Sequence, residues 1–331
     1  MKTSISAFFI QPIIISAIAF FAVWYYSGID AFVLVLILSI LEITLSFDNA
    51  VVNAKVLERM NPKWQKRFLT WGIAIAVFGT RFILPILIVS VAVFTSPWHI
   101  TVLAFTNPEE YSRLLEGVRG SIAAFGGVFL MMVALKYFFN QGKDIHWFKS
   151  VEKRFVKWGR VEALEIVIAL SLITTLSFFS EFDQASILIS GIIGLILFIL
   201  MEGLAGSLSM EGKNIAKSGF ALFIYLNVLD SAFSLDGVVG AFALTTNLLT
   251  IVVGLGIGAY FVRSLTLYFV EMKTLTELVY LEHGAHWAIL GLAIAMLTNL
   301  VVDVPEIITG VVGLIFVSLS YRSSLRELAG R

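Results

Sequence analysis

The chain has 331 residues, 59% of them hydrophobic and 14% charged, with a mean hydropathy of +0.93 and a formal net charge of zero. A soluble domain carries about 25% charged residues, so an ordinary water-soluble globule is excluded, and the balanced charge excludes a basic field for nucleic acid. There is no cysteine, which excludes thiolate metal sites and disulfides.

Apolar runs of about 18 residues or more read as membrane spans. In chain order ten are predicted, at about 5–26, 31–54, 68–94, 118–139, 161–180, 184–205, 219–245, 248–270, 285–300 and 304–320. The first follows a single lysine, Lys2, and has no small-x-small cleavage site after it. It therefore reads as a retained span and not as a removed leader. The expected fold is an all-α polytopic membrane protein, with residues 1–331 forming one transmembrane domain.

Short cytoplasmic loops collect Lys and Arg. Alternating sides from a cytoplasmic N-terminus places Lys2, Lys55, Arg59, Lys63, Lys66, Arg67, Lys143, Lys149, Lys153, Arg154, Lys157, Arg160, Lys213, Lys217, Lys273, Arg322, Arg326 and Arg331 inside. These are eighteen of the 23 basic residues. Both termini are predicted to face the cytoplasm of a cell whose inner, or plasma, membrane holds the chain. The outside loops keep Arg113, with Arg119 at a helix edge.

The second and seventh runs carry a matching polar pattern. One reads Leu41-Glu42-Ile43-Thr44-Leu45-Ser46-Phe47-Asp48-Asn49-Ala50, the other Leu229-Asp230-Ser231-Ala232-Phe233-Ser234-Leu235-Asp236-Gly237-Val238. Each has an acid, a serine four positions on and an aspartate two after that. Ionisable groups in a span are costly and mark ion or proton paths. Gly72 and Arg81 in the third run match Gly254 and Arg263 in the eighth, with the same spacing. The segments Leu114-Leu115-Glu116 and Tyr280-Leu281-Glu282 match weakly. The alternation makes the two motif helices antiparallel. The sequence therefore predicts two inverted three-helix repeats, at about 31–139 and 219–300, with the remaining four spans peripheral or linking. Repeat-built transporters place their site near the axis between such halves.

At about 100° per residue, Ser46, Asn49 and Asn53 share a stripe with Glu42, while Thr44 and Asp48 fall on another face. In the second motif Asn227, Asp230 and Ser234 lie together, and Asp236 is turned away. Either the helix unwinds near Ser46-Phe47-Asp48 or the acids share a wide crevice. Gly237 eases unwinding in the second motif, and irregular backbone is tolerated where it lines a cavity.

The donors are all oxygen: the carboxylates of Glu42, Asp48, Asp230 and Asp236, the amide of Asn49 and the hydroxyls of Ser46 and Ser234. Hard divalent cations such as Mn²⁺, Mg²⁺ and Ca²⁺ prefer this set. Glu42, Asp48, Asn49, Asp230 and Asp236 are the predicted metal-binding residues. No resident cofactor is expected, because the ion is the cargo. Arg81 and Arg263 are expected either to balance the acids or to form structural ion pairs. Release of protons on metal binding gives proton coupling a physical basis. Ser46 and Ser234 are expected to bond backbone carbonyls.

Other polar features are expected to be milder. Glu282, His283 and His286 spell E-H-x-x-H at the start of the ninth run, with solvated histidines as the default and a metal pair as the alternative. The segment 140–160 is basic and aromatic, with Trp147, Phe148, Phe155 and Trp158, and reads as an amphipathic surface segment on anionic lipid. Glu181, Asp183, Asp303 and Glu306 are expected in hydrated outer turns. Gly254, Gly256 and Gly258 permit close helix packing and make no nucleotide loop, since no strand precedes them.

The run L-S-F-D-N-A after Leu41-Glu42, followed by D-S-A-F-S-L-D-G and a later G…R, resembles the TerC family of integral membrane proteins, within a superfamily that includes lysine exporters. The resemblance spans about 31–139 and 219–320. It implies efflux of divalent cations, mostly manganese, and maps the family's acids onto Glu42, Asp48, Asp230 and Asp236. Gly237, Val238 and Val239 depart from the usual motif, as does the insert carrying the fifth and sixth runs, so the chain looks like a divergent branch. The expected partners are a divalent ion, the bilayer and, as one option, a second copy in a homodimer; no nucleic acid is expected, given the balanced charge. Two alternatives stand beside it: export of a small organic solute, and a non-transporting partner that loads exported proteins with metal. An intramembrane aspartyl protease does not fit, because Leu235-Asp236-Gly237 lacks the glycine-x-glycine-aspartate run. The chain is not expected to be an enzyme.

Overall fold

A computed structural model describes residues 5–210 and 215–329. Lys2, Lys213 and Arg331 lie outside the described residues, as do the side chains of Lys217, Asp236 and Glu306. The chain is 85% helix, with no strand among the described residues. Bilayers impose this economy, since a helix satisfies its own backbone polar groups where no water reaches them.

The helices are α1 (Ile5–Leu45), α2 (Phe47–Leu57), α3 (Pro62–Ala74), a π-helical segment (Ile75–Ile83), α4 (Leu84–Ala92), α5 (Pro97–Thr106), α6 (Pro108–Gly117) and α7 (Arg119–Phe138). They continue with α8 (Lys149–Trp158), α9 (Leu164–Phe179), α10 (Gln184–Met210), α11 (Ile215–Leu244), α12 (Leu248–Glu271), α13 (Thr274–Glu277), α14 (Leu281–Thr298) and α15 (Glu306–Ala329). Among the described residues six segments are long and apolar enough to cross a membrane: Phe8–Leu45, Ile75–Ala92, Arg119–Phe138, Gln184–Leu204, Gly219–Phe242 and Leu248–Glu271. The predicted runs at 161–180, 285–300 and 304–320 fall on α9, α14 and α15, which are not among these six. The first turn of α14 is diluted by Glu282, His283 and His286.

The first two predicted runs share α1, and that helix is not straight. Gln11 and Glu42 both meet α12, at Tyr260 (hydroxyl to Gln11 Oε1, 3.5 Å) and at Gly258. In a straight helix they would stand about 46 Å apart at 1.5 Å per residue. The chain doubles back at Gly28, whose φ of +84° and ψ of −177° belong to a region essentially reserved for glycine. The rings of Phe20 and Phe32 meet across the fold, 5.6 Å apart.

A second interruption falls at Ser46 (φ −101°, ψ 15°), between α1 and α2. It is one residue wide, because the Ser46 N–H still donates to the Glu42 carbonyl at 2.9 Å and the Ser46 carbonyl accepts from Ala50 at 3.2 Å. Of the two options the first motif left open, an unwound stretch or a shared crevice, the chain takes a milder form of the first, a kink at Ser46. The second motif does not share it: α11 runs unbroken through Gly237, so the glycine there is not used to open the helix.

Helix α7 is central, with 78% of its membrane window buried, against 22% for α1. Gly126 and Gly127 of α7 let Met296 and Leu297 of α14 approach its backbone. The second half of α1 lies along α12, where Gly254 receives Leu38 and Gly258 receives Glu42. Ser39 Oγ donates to the Gly254 carbonyl at 3.0 Å. Small residues at such crossings let backbones come close where no hydrophobic drive separates helix from lipid.

At one end of the bundle Lys55, Arg59, Lys136, Glu165, Glu202, Glu282 and His286 surround an open cavity of about 550 Å³. Lys55 pairs with Glu282 at 3.2 Å and Lys136 with Glu202 at 3.1 Å. At the other end Arg119 pairs with Asp303 at 2.6 Å. Asp183 caps α10 by accepting the Ser186 N–H at 2.8 Å. Asp183 and Asp303 are exposed, as expected of outer turns, and each also holds local structure.

The segment around α8 lies mostly exposed, as expected of a surface segment, but it also carries a fully buried acid, Glu152. That carboxylate accepts from Trp287 Nε1 (3.1 Å), His283 Nδ1 (2.9 Å) and the Trp147 and Phe148 N–H groups (both 3.3 Å), and Lys143 Nζ stands 3.0 Å away. Burial pushes the acid up, but the His283 hydrogen bond and charge and the Lys143 charge outweigh it and hold Glu152 at about 2. His283 and His286 are consequently buried, not solvated. The His286 ring stacks on Tyr137 at 3.6 Å, and its Nδ1–H donates to the Glu282 carbonyl at 2.8 Å.

Candidate functional site

Glu42 sits in the last turn of α1 and is 2% exposed. Its Oε1 receives the Arg81 guanidinium directly and the Ser46 hydroxyl at 2.7 Å. Ser46 therefore bonds a carboxylate and not the backbone carbonyl expected of it. Arg81, also 2% exposed, reaches Glu42 from the π-helical segment. Its Nη1 donates further to the Ala76 carbonyl and to Thr80 Oγ1. A desolvated guanidinium persists in a bilayer only when paired and hydrogen-bonded, and these acceptors supply that.

Past the break, α2 turns Asp48, Asn49 and Asn53 into protein, and all three are buried. Asn49 Nδ2 donates to Asp230 Oδ1 of α11 at 2.9 Å, which joins the two motifs physically. On α12, Arg263 lies over the Phe68 ring at 3.7 Å and donates Nη1 to the Phe68 carbonyl at 2.9 Å. Gly72 makes the space, since a Cβ there would stand 2.5 Å from Arg263 Nη1.

Two small chambers adjoin at Ser46. The first, about 20 Å³ as open to the centre of a water-sized sphere, is bordered by Glu42, Ser46, Asp48, Phe233 and Gly237. The second, about 10 Å³, is bordered by Ser46, Asn53, Arg81, Asp230, Arg263 and Thr266. One water or one bare ion needs roughly 10–15 Å³ on this measure, so each chamber is of single-particle size. Glu42 points its second oxygen, Oε2, toward Gly237, where a Cβ would come within 3.5 Å.

The predicted set is therefore brought together as two neighbouring groups. Glu42 and Asp48 share the first chamber, and Asp230, held by Asn49, borders the second. Asp236 lies on α11 beside Gly237, and its side chain is outside the described ones. Among the described residues, no three of His, Asp and Glu are grouped to hold a metal ion. On the two motif helices three buried side-chain oxygens have no hydrogen-bond partner among the described residues: Asn49 Oδ1, Asn53 Oδ1 and Ser234 Oγ. Buried polar atoms of this kind are uncommon and ask for a physical reason. Asn227 spends its amide on the Phe223 carbonyl at 2.7 Å and adds little to the site. Thr80, Thr266 and Ser39 were not foreseen. Their only sequence signal is a hydroxyl in an apolar run, which usually returns to the backbone, as Thr266 does on the Val262 carbonyl at 3.0 Å.

An apolar helical bundle with a buried acid–guanidinium pair, Glu42–Arg81, at its centre defines a membrane-embedded protein with a polar core. The chain belongs to the family described as "Protein of unknown function (DUF475)", which matches residues 47–329. That match begins just after Glu42 and includes Asp48, Asn49, Arg81, Asp230, Asp236 and Arg263. No curated protein and no solved structure matches the chain.

Proposed function

We propose that this chain is a membrane transporter that exports a hard divalent cation, Mn²⁺ first and Ca²⁺ second, with Glu42, Asp48, Asn49, Asp230 and Asp236 as the groups that handle it. The observation that carries the reading is the meeting of the two motif helices: Asn49 bonds Asp230, and beside that bond lie buried oxygens without donors. Oxygen-only donors suit hard cations. Charge supports it too. Arg81 and Arg263 are two fixed cations against four acids, so the acids without a fixed cation are left to share protons or one divalent ion.

The ten-span, two-repeat arrangement with cytoplasmic termini belongs to the same proposal, as does the TerC-like affiliation. Access alternates as the two halves rock about the site. The large cavity at the lysine-rich end then serves as the cytoplasmic vestibule. Liposomes containing the purified chain and a Mn²⁺-sensitive dye test this. Saturable Mn²⁺ flux is expected from the wild type and not from Asp48→Asn, and absence of flux from the wild type would sink the reading.

One observation favours a second reading. The vestibule of about 550 Å³, with its lysine–glutamate pairs, is large enough for a small zwitterionic solute, whereas the central chambers are not. Thermal stabilisation by lysine and not by Mn²⁺ would select that alternative. A non-transporting partner in metal loading would bind Mn²⁺ without flux.

A further inference from the structure

The buried Arg81–Glu42 pair rests on an unusual piece of backbone. Residues Ile75–Ile83 are π-helical, nine residues in a row, with Arg81 in the last turn. Such segments are rare and gather at functional sites, because the wider turn is easily re-registered. The pair is also lopsided. Arg81 and Ser46 both use the same oxygen of Glu42, leaving Oε2 toward Gly237 and the chamber shared with Asp48. On the guanidinium, Nε is buried with no partner. Arg81 is therefore held well enough to stay but is not saturated. Its counterpart by sequence, Arg263, makes a different contact, onto Phe68.

We infer that Arg81 is the site's own exchangeable cation: it neutralises Glu42 when no cargo is present, and an entering divalent ion takes Glu42 from it as the π-helical segment Ile75–Ile83 shifts register. This inference rests on the cation reading above and adds a residue that sets affinity and release. Only one charge need occupy Glu42 at a time, because two cations on one buried carboxylate repel strongly at low dielectric. Returning one residue of the segment to α register rotates Arg81 by roughly 100°, enough to lift it off Glu42. Its return to Glu42 then expels the ion. A competing internal charge trades affinity for release, so its removal strengthens binding and slows turnover. A residue that only props up the fold would do neither.

Mn²⁺ binding by calorimetry and Mn²⁺ flux in liposomes, measured on the full chain and on Arg81→Gln and Arg81→Lys, test the inference. Arg81→Gln is expected to bind Mn²⁺ about tenfold more tightly, the scale of one charge-assisted contact, while its maximal flux falls. Arg81→Lys should lie between it and the wild type. If the wild type binds Mn²⁺ and Arg81→Gln binds it equally or more weakly, the role of Arg81 is overturned and the cation reading stands. A wild type that binds no Mn²⁺ removes the cation reading and this inference together. Should Arg81→Gln not fold, hydrogen exchange in the wild type decides: faster exchange at residues 75–83 on adding Mn²⁺ supports the register shift, and unchanged exchange there overturns it.

Discussion

Asn49 and Asp230, 181 positions apart in the chain, share a hydrogen bond of 2.9 Å from the amide nitrogen to the carboxylate. The bond orients both groups. Asn49 gives its N–H, so its oxygen is left without a donor, and Asp230 borders the smaller chamber together with Arg263 and Asn53. One contact thus ties the two motif helices and presents acceptors on both sides of the tie.

Asn49→Ala should therefore do more than remove a ligand. It frees Asp230 from the one side-chain donor it has among the described residues and leaves a buried carboxyl oxygen poorly solvated. A lost hydrogen bond to a charged group costs about 1.5–3 kcal/mol. Stability of the detergent-solubilised chain should fall by that order, and Mn²⁺ binding should weaken with it. Asn49→Asp puts two carboxylates together and should hurt stability more without metal, with partial rescue by added Mn²⁺. Thermal melts with and without the ion check both variants, and identical melts for Asn49→Ala and the wild type would count against the tie.

Gly258 is where α12 touches Glu42. A Cβ at this position would lie 2.5 Å from Glu42 Cβ and 2.6 Å from its Cγ. Gly258→Ala should displace Glu42 from Arg81 and Ser46, at about 1–3 kcal/mol for an overpacked contact. Gly256, two residues earlier, would meet only the Val77 side chain at 3.1 Å, so Gly256→Ala is the milder control. The melts should rank wild type, then Gly256→Ala, then Gly258→Ala, with Mn²⁺ binding lost first in the last.

Gly28 differs in kind from both. Nothing lies within 4 Å of a Cβ built there, so space does not forbid a side chain. Its backbone does: at φ +84° and ψ −177° a non-glycine residue costs about 1–3 kcal/mol. Gly28→Ala should lower stability by that order while leaving the affinity of the folded fraction for Mn²⁺ unchanged, since the turn is remote from Glu42. An affinity change equal to that of Gly258→Ala would show that the hairpin angle, and not only its stability, reaches the site.

How much of this was legible in the sequence follows from what each feature depends on. Composition and run length suffice for an all-helical membrane-embedded chain, because the bilayer leaves backbone few choices. The angular conflict between Glu42 and Asp48 announced a break near Ser46, since one stripe cannot hold both. Gly237 misled: a glycine permits unwinding but does not require it, and α11 packs straight through. The partnership of Arg81 with Glu42 was one of two options for that arginine, and spacing alone could not choose, because the choice depends on how α1 and the π-helical segment lie side by side. The same holds for Glu152. In sequence it is one of two acids, with Asp144, among six Lys and Arg of a surface segment, and only the docking of α8 against His283 and Trp287 reveals it as the centre.

That docking carries a pH dependence whose sign is fixed. The Glu152 carboxyl sits at about 2 in the folded chain, against an ordinary 4.5. A folded value below the unfolded one means stability that is present in full above about pH 4.5 and is lost as pH falls from there toward 2. Glu152→Gln removes the charge that His283 and Lys143 face and strands both. Breaking a buried pair in this way costs about 3 kcal/mol or more, so the variant should melt well below the wild type at pH 7. The gap should narrow as pH drops below 4.5, because the unfolded wild type then takes up a proton that the folded carboxylate, ionised down to about 2, does not. Melting curves of the two chains from pH 7 to pH 3 check this, and hydrogen exchange should place the loss first at residues 143–158 and the start of α14. A gap that stays constant across that range would mean that Glu152 acts through shape and not through charge.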